Sequence, residues 1–313
     1  MKLLPEEKMD KTLENKIAFS ICIPIYNCSV FELVSELHRQ AVPTGYPFEI
    51  LLIDDQSSEQ LDENRKLKDF SNVFYTELQE NAGRAKIRNL LAQKAQYPYL
   101  IFMDCDTEVN NSSYLQNYLN ETPSDVVIGG YQYSRTPPEK KYLLRWLYGI
   151  CREQRNASQR NKQPNKSFST FNFMIRKEIM EKIQFDENIS GYGHEDTLFG
   201  WELKKQGITV KHIDNSIIHK TLDETEVFIK KTENAVRNLW KIYQGISGKE
   251  EFTQDNSLLN NYVFLQKNHL SGVISLFFKI FRPLLYKNLL SEHPRIKVFD
   301  LYKMGMMNEA ANK

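Results

Sequence analysis

Two carboxylates flank a single residue in Asp104-Cys105-Asp106, directly after the apolar run at 99–103. In an extended chain end, side chains at i and i+2 point to the same side, so one oxygen-seeking divalent cation, Mg²⁺ or Mn²⁺, can bridge them to phosphate oxygens. The spacing is common, and it equally suits two solvated carboxylates at a strand end. NAGRAKIRN at 81–89 reads as a turn entering a helix, with Arg84 and Arg88 four residues apart on one face. A helix start carrying two guanidinium groups suits a pyrophosphate. Pairing of both arginines with surface acids is the bland alternative. Asp54-Asp55 closes another apolar run. There Asp55 can accept hydrogen bonds from a nucleobase or ribose, whereas Asp54 reads as well as a cap or turn residue. Tyr26 can stack on a base, or simply be a half-buried strand end.

The string GYGHEDTLFGWELKKQG at 191–207 has two early glycines and then acids that open a helix. At a positive helix end Glu195 and Asp196 are expected to stay ionised. A carboxylate there can take a hydroxyl proton, and its low basicity would make it effective only late in bond formation. An acidic cap is the structural alternative. His219, after the apolar SII, can supply a neutral imidazole to a metal, or be a packed or capping histidine. His194 and His212 receive no role.

These residues need elements to position them. FSICIPIY at 19–26, FEILLID at 48–54, NVFYTEL and YLIFMD at 99–104 read as strands, and helical patterns separate them. Strands alternating with helices argue for a parallel sheet, whose ligands bind beyond the carboxyl ends of the strands, where the polar groups fall. From Ser134 to Lys166 there are nine Lys/Arg against two acids, with few strand signals, which reads as an insertion loop. FSTFNFMI, ITVKHID and SIIHK resume strand character, with a helix at 196–206 stopped by Gly207. Beyond Asp223 the chain reads as mainly helical. The expected division is a polar segment at 1–16, a catalytic domain at 17–223 with a basic insertion at 134–167, and a helical region at 224–313.

Composition narrows the class. The chain has 313 residues, 41% apolar and 26% charged, with 41 basic against 40 acidic side chains, so a mixed globular protein is expected. A net charge of +1 supplies no chain-wide field for nucleic acid. Cys22, Cys28, Cys105 and Cys151 form no CxxC pair, so reduced thiols are expected. The polar N-terminus and the lack of a long apolar run point to a cytoplasmic protein without a spanning helix.

Together the strings resemble a family 2 glycosyltransferase. FSICIPIYN resembles that family's first strand, LLIDDQSSE its nucleotide-contacting strand end and NAGRAKIRN its NxGxxxARN segment. FMDCDTEV resembles its Asp-x-Asp segment, and GYGHEDTLFGWELKKQGI the loop and helix that bring the catalytic base. The order holds over residues 19 to about 220, which is far more specific than any single string. The resemblance implies a GT-A type α/β fold: a mixed, mainly parallel sheet flanked by helices, with a mainly helical C-terminal region. It implies inverting transfer of a sugar from a nucleoside-diphosphate sugar, a UDP-sugar first, to a hydroxyl of a glycan or lipid-linked acceptor in cell-surface polysaccharide synthesis. By the same resemblance Asp196 is the base, Asp106 binds Mn²⁺ or Mg²⁺, and Arg84 and Arg88 lie near the diphosphate, while His219 is expected beside Asp106 at the metal from its own chemistry. Pro24, Tyr26, Asp55, Gly83, Asp104, Gly193 and Glu195 would line the substrate site, with Asp55 at the base, Tyr26 stacked beside it and Asp104 at the ribose. Ile87 stands where the family has a small Ala, and Gln56 where a small residue is usual. Both bear on nucleotide preference.

Acceptor recognition is expected from the basic insertion, where Arg145, Trp146, Tyr148, Arg152 and Arg155 suit sugar rings and a phosphate. A basic helix packing Leu143, Leu144 and Leu147 inward explains the same letters. At 272–290, GVISLFFKIFRPLLYKNLL would lie on an anionic membrane at its inner face, or be a buried helix of a C-terminal bundle. A dinucleotide-dependent oxidoreductase is disfavoured by the missing GxGxxG after the first strand. A non-catalytic carbohydrate- or protein-binding module on the same fold is the remaining alternative.

Overall fold

The computed structural model describes residues 17–189 and 191–312, and the expected polar segment at 1–16 lies outside them. The chain runs β1 (Phe19–Ile25), α1 (Phe31–Ala41), β2 (Phe48–Asp54), α2 (Leu61–Arg65), β3 (Val73–Glu77), α3 (Arg84–Lys94), β4 (Tyr99–Met103), β5 (Thr107–Glu108), α4 (Tyr114–Leu119), β6 (Val126–Ile128) and β7 (Tyr131–Gln132). It continues as α5 (Leu143–Tyr148), a π-helical turn (Gly149–Glu153), α6 (Ala157–Arg160), β8 (Asn172–Arg176), α7 (Lys177–Lys182), α8 (Glu195–Lys205), β9 (Val210–His212) and β10 (Ile217–His219). Five helices close it: α9 (Thr225–Gly245), α10 (Lys249–Asp255), α11 (Ser257–Lys267), α12 (Ser271–Leu289) and α13 (Ile296–Ala311).

Seven strands form the main sheet in the order β3-β2-β1-β4-β8-β6-β9, and β5-β10-β7 form a small second one. β1, β2, β3 and β4 are parallel, while β8 runs antiparallel between β4 and β6. The sheet is therefore mixed and mainly parallel, flanked by helices. Its central strands are apolar on both faces because both are covered. Ile21, Ile23 and Ile101 pack against α1 residues Val34 and Leu37. Cys22, Leu51 and Phe102, pointing the other way, pack against Leu91 of α3 and Phe199 of α8.

Strand order reverses about β1, whose neighbours are β2 and β4. Pairing of β1 with β4 ends at Cys22, whereas pairing with β2 continues through Pro24 to Ile25. Pro24 thus sits where β1 has already parted from β4, which is how a central strand tolerates a residue with no N–H. The parting opens a crevice at the carboxyl ends, where such sheets bind ligands.

A third core is helical, and Leu144 of α5 and Trp201 of α8 enter it beside Phe228, Leu239, Phe299 and Met307. Residues 134–166, expected as a loop, are largely short helices. Leu144 of α5 enters that third core and Arg145 beside it is buried, while Leu143 and Leu147 are only partly buried. α12 runs unbroken through Pro283. Pro283 is exposed, and the Lys279 carbonyl it leaves without a partner lies in an exposed part of the helix.

Candidate active site

Tyr26, Asp55 and Asp104 follow directly on β1, β2 and β4, so the parallel strands deliver them to one edge. Tyr26 is 56% exposed, which leaves its ring open to a stacking partner. Asp54 has the turn role: it accepts from the Ser57 N–H at 2.7 Å and from the Tyr75 hydroxyl at 3.2 Å. Asp55 accepts from the backbone N–H of Ala82 at 2.5 Å and of Gly83 at 3.0 Å, pinning the loop that opens α3 to the end of β2. Gly83 has φ +80°, a left-handed backbone that favours glycine.

Arg84 and Arg88 share a face of α3 as the spacing implies, but they differ in environment. Arg88 is buried, its guanidinium 2.6 Å from Asp104 Oδ1 and bonded to the Arg84 carbonyl at 3.0 Å. It holds Asp104 in place rather than lying open to a diphosphate. Arg84 reaches the cleft, stacked 4.6 Å over the Tyr192 ring and 3.8 Å from Glu195 Oε1. Burial works against its charge, but Asp104, Glu195 and Asp106 hold the guanidinium protonated beyond the usual range. Ile87, one residue from Arg88, points into the sheet core. Gln56 bridges the Gln79 carbonyl and the Asn81 N–H.

The small sheet brings His219 to the Asp-x-Asp turn. His219 pairs with Thr107, and the Lys220 N–H donates to the Asp106 carbonyl at 2.9 Å. His219 Nε2 lies 3.5 Å from Asp106 Oδ2. Its ring is held between Tyr133 and Phe171, at centroid distances of 5.6 and 5.1 Å, and its Nδ1 is buried without a partner. Burial lowers its pKa and so keeps the imidazole neutral. Burial also pushes the Asp106 carboxyl up, a strain that a cation would relieve. No group of three His, Cys, Asp or Glu side chains is placed to hold a metal among the described residues. Two protein ligands with substrate phosphates and water suffice for Mg²⁺ or Mn²⁺, so Asp106 and His219 fit such an ion.

Opposite stands the start of α8. His194 has φ +72° and its Nδ1 meets Thr197 Oγ1 at 3.0 Å. Gly193 has φ +97°, and a Cβ there would meet that of Ala235 in α9 at 2.5 Å, so packing explains this glycine. Asp196 accepts from the Thr197 N–H at 2.6 Å. Its low basicity, expected from the helix start, is not what the structure shows. Burial first, and the charge of Glu195 second, push it up to about 7. The Thr197 bond is too small a compensation for lost solvent.

The expected acceptor residues mostly have structural work. Arg145 is buried, bonded to Glu153 at 3.0 Å and to the Tyr133 hydroxyl at 2.9 Å. Arg152 pairs with Asp300, Tyr148 packs on Phe228 and Phe299, and the Trp146 indole donates to the Ser134 carbonyl at 2.8 Å. Arg155 is exposed. Residues that sequence reasoning missed also stand beside the site residues: Tyr192 under Arg84, and Tyr133, whose ring lies on His219 and whose hydroxyl donates to Glu153. Tyr131 and Tyr133, two apart after Gly129-Gly130, carried a same-face signal. Glu153 carried none.

With this geometry in place, likeness to known proteins is informative. Residues 20–184, more than half of the chain, match the model of glycosyl transferase family 2, and the chain belongs to that family. It is 25% identical over 244 residues to chondroitin synthase of Pasteurella multocida (strain Pm70), covering 67% of this chain and 25% of that protein. To the poly(ribitol-phosphate) beta-N-acetylglucosaminyltransferase TarS of Staphylococcus aureus (strain Mu50 / ATCC 700699) it is 29% identical over 116 residues, covering 35% and 20%. The chain therefore spans a fifth to a quarter of the length of these relatives. Among solved structures, a mannosyltransferase from Pyrobaculum calidifontis in complex with GDP-Man and Mn²⁺ superposes with TM-score 0.60 at 14% identity, over 94% of this chain and 86% of that one. S. aureus TarS 1–349 in complex with UDP-GlcNAc superposes with TM-score 0.52 at 18% identity, over 94% and 89%. The fold is GT-A.

Proposed function

We propose that the protein is an inverting, metal-dependent glycosyltransferase that moves a sugar from a nucleoside-diphosphate sugar to a hydroxyl of a glycan or lipid-linked acceptor in cell-surface polysaccharide synthesis. One observation carries this reading. Arg84 stands among carboxylates from both walls, Asp104 and Asp106 on one and Glu195 on the other, with Asp196 beside Glu195. A cationic group for a diphosphate and a carboxyl poised near neutral pH thus share one cleft.

In this mechanism Asp196 takes the proton of the acceptor hydroxyl as that oxygen attacks the anomeric carbon from the side opposite the leaving group. A base with a pKa near working pH is well matched to the task. Arg84 meets the charge growing on the departing diphosphate, the kind of preorganised stabilisation that dominates many catalysed reactions. Asp106 and His219 would hold Mn²⁺ or Mg²⁺, which when bound neutralises diphosphate oxygens. Arg88 keeps Asp104 fixed for the ribose, and Tyr26 and Asp55 flank the base. A UDP-sugar is the donor we assign, the class bound by the TarS neighbour. GDP-mannose, bound by the other neighbour, is the competitor.

A thermal-shift panel of UDP- and GDP-sugars with and without Mn²⁺ tests this, because a ligand of the folded state raises its melting point. We expect a Mn²⁺-dependent shift with a UDP-sugar that Asp106→Asn abolishes. Equal melting under every condition would end the reading.

A further inference from the structure

Eight of the fourteen large apolar side chains exposed among the described residues fall between Phe264 and Leu284, on α11, α12 and their connection. Exposed apolar residues scattered singly need no explanation, but a contiguous set marks a contact surface. On α12 the set is Val273, Leu276, Phe277, Ile280, Phe281 and Leu284, a spacing that puts them on one helical face. Phe278, Leu285 and Leu289 point the other way into the helical core. α12 is thus neither wholly buried nor polar outside: one side anchors it, and a second apolar side faces outward. The rings of Phe277 and Phe281 meet at 4.7 Å, tilted by 31°, on that outward side, and Phe264 and Leu270 extend it.

Charge selects the occupant. From Asn256 to Ser291 the chain has no Asp or Glu, although the whole protein carries almost as many acids as bases. Of the four cations in that stretch, Arg282 is turned inward to Glu233 and Glu309. Lys267, Lys279 and Lys287 are exposed. A second copy docked about a two-fold axis would set this apolar, lysine-edged face against itself, with no acid in the stretch to meet the lysines. An anionic bilayer supplies both an apolar phase without directional demands and a negative surface. No helix of the described residues is long and apolar enough to cross a membrane, so contact would be along the surface.

We propose that the outward face of α12 seats the protein on an anionic phospholipid surface, with Phe277, Phe281 and their aliphatic neighbours entering the acyl boundary and Lys279 and Lys287 at the headgroups. The inference is independent of the transfer reaction, since it rests on none of the cleft residues.

Co-sedimentation of the full chain with phosphatidylcholine–phosphatidylglycerol vesicles and with pure phosphatidylcholine vesicles tests it, with thermal unfolding as the folding control. We expect salt-sensitive partition onto the anionic vesicles. Leu276→Ser with Ile280→Ser, both at exposed sites, should lower it at least about tenfold without altering the unfolding midpoint. Lys279→Gln and Lys287→Gln should each lower it about fivefold on anionic vesicles. No partition of the wild-type chain, or equal partition by the double serine variant, overturns the proposal. So does a wild-type dimer in sedimentation velocity that the serine variant dissociates while vesicle binding is absent, since the face then belongs to a second copy.

Discussion

At the ends of β2 and β4 the carboxylates are engaged: Asp55 holds two backbone N–H groups, and Asp104 is locked to the buried guanidinium of Arg88. Across the cleft, at the start of α8, Asp196 takes its hydrogen bonds from Thr197 alone among the described residues and has Glu195 for a neighbour. The residue type is the same and the task differs. A carboxylate tied by donors is a fixed binding element, while one partly buried beside a like charge holds its proton to near neutral pH and can exchange it. In the proposed mechanism, environment thus assigns the roles of binding and proton transfer within one cleft.

The contrast can be broken in several ways. Removing the divalent ion with chelator, or Asp106→Asn, should cost about 10²–10³ in transfer rate and weaken donor binding as well. Titration calorimetry and initial rates would show both, and a loss of rate with intact metal-dependent affinity would move the ion elsewhere. Next, Arg88→Met removes the buried cation of a pair whose carboxylate is partly exposed, and leaves Asp104 with Arg84 as its remaining cation. Stability should fall by about 1–3 kcal/mol in urea unfolding, and a neutral result would mean that Asp104 is not held by this bond. Tyr26→Ala should weaken donor binding by about 1–3 kcal/mol through lost stacking, with the unfolding curve unmoved because the ring is exposed.

The smallest expected effect concerns stability. Asp196 has a folded pKa near 7, above the ordinary unfolded value of about 3.9. Its neutral form costs nothing below the unfolded pKa, and stability is then lost as pH rises toward 7. Asp196→Asn should therefore be more stable than wild type at pH 8, by at least about 1 kcal/mol, and level with it near pH 4. A constant difference across that range would show that the carboxyl is well solvated.

Much of the fold was readable because the central strands are buried on both faces and bounded by turn residues, so β1 to β4 and their helices stand out as apolar runs. SIIHK announced β10 in the same way, but β5 and β7 are two residues long and exist through pairing at a distance, which local pattern does not encode. The candidate site divides in the same way. Asp104, Asp106, Asp55 and Asp196 stand out by position at element ends, but the pairing of Asp104 with Arg88 does not, since the spacing assigns Arg88 with Arg84 to a pyrophosphate and offers only surface acids as the alternative. Arg145 and Arg160 were counted in a basic insertion, yet both are buried. Arg160 donates to the carbonyls of Gly129 and Ile213 at 3.0 and 2.7 Å. The basicity of Asp196 differs from expectation for a related reason: the helix start is visible in the letters, whereas the burial that raises its pKa comes from elements packed around it.

The pH dependence of single-turnover transfer, compared between wild type and Asp196→Asn at saturating donor, tests the division of roles most directly. The wild-type rate should rise with pH to a plateau above about pH 7, while the variant binds donor normally, lacks that limb and is slower by about 10²–10⁴. A variant that transfers at the wild-type rate with the wild-type pH profile would contradict the account.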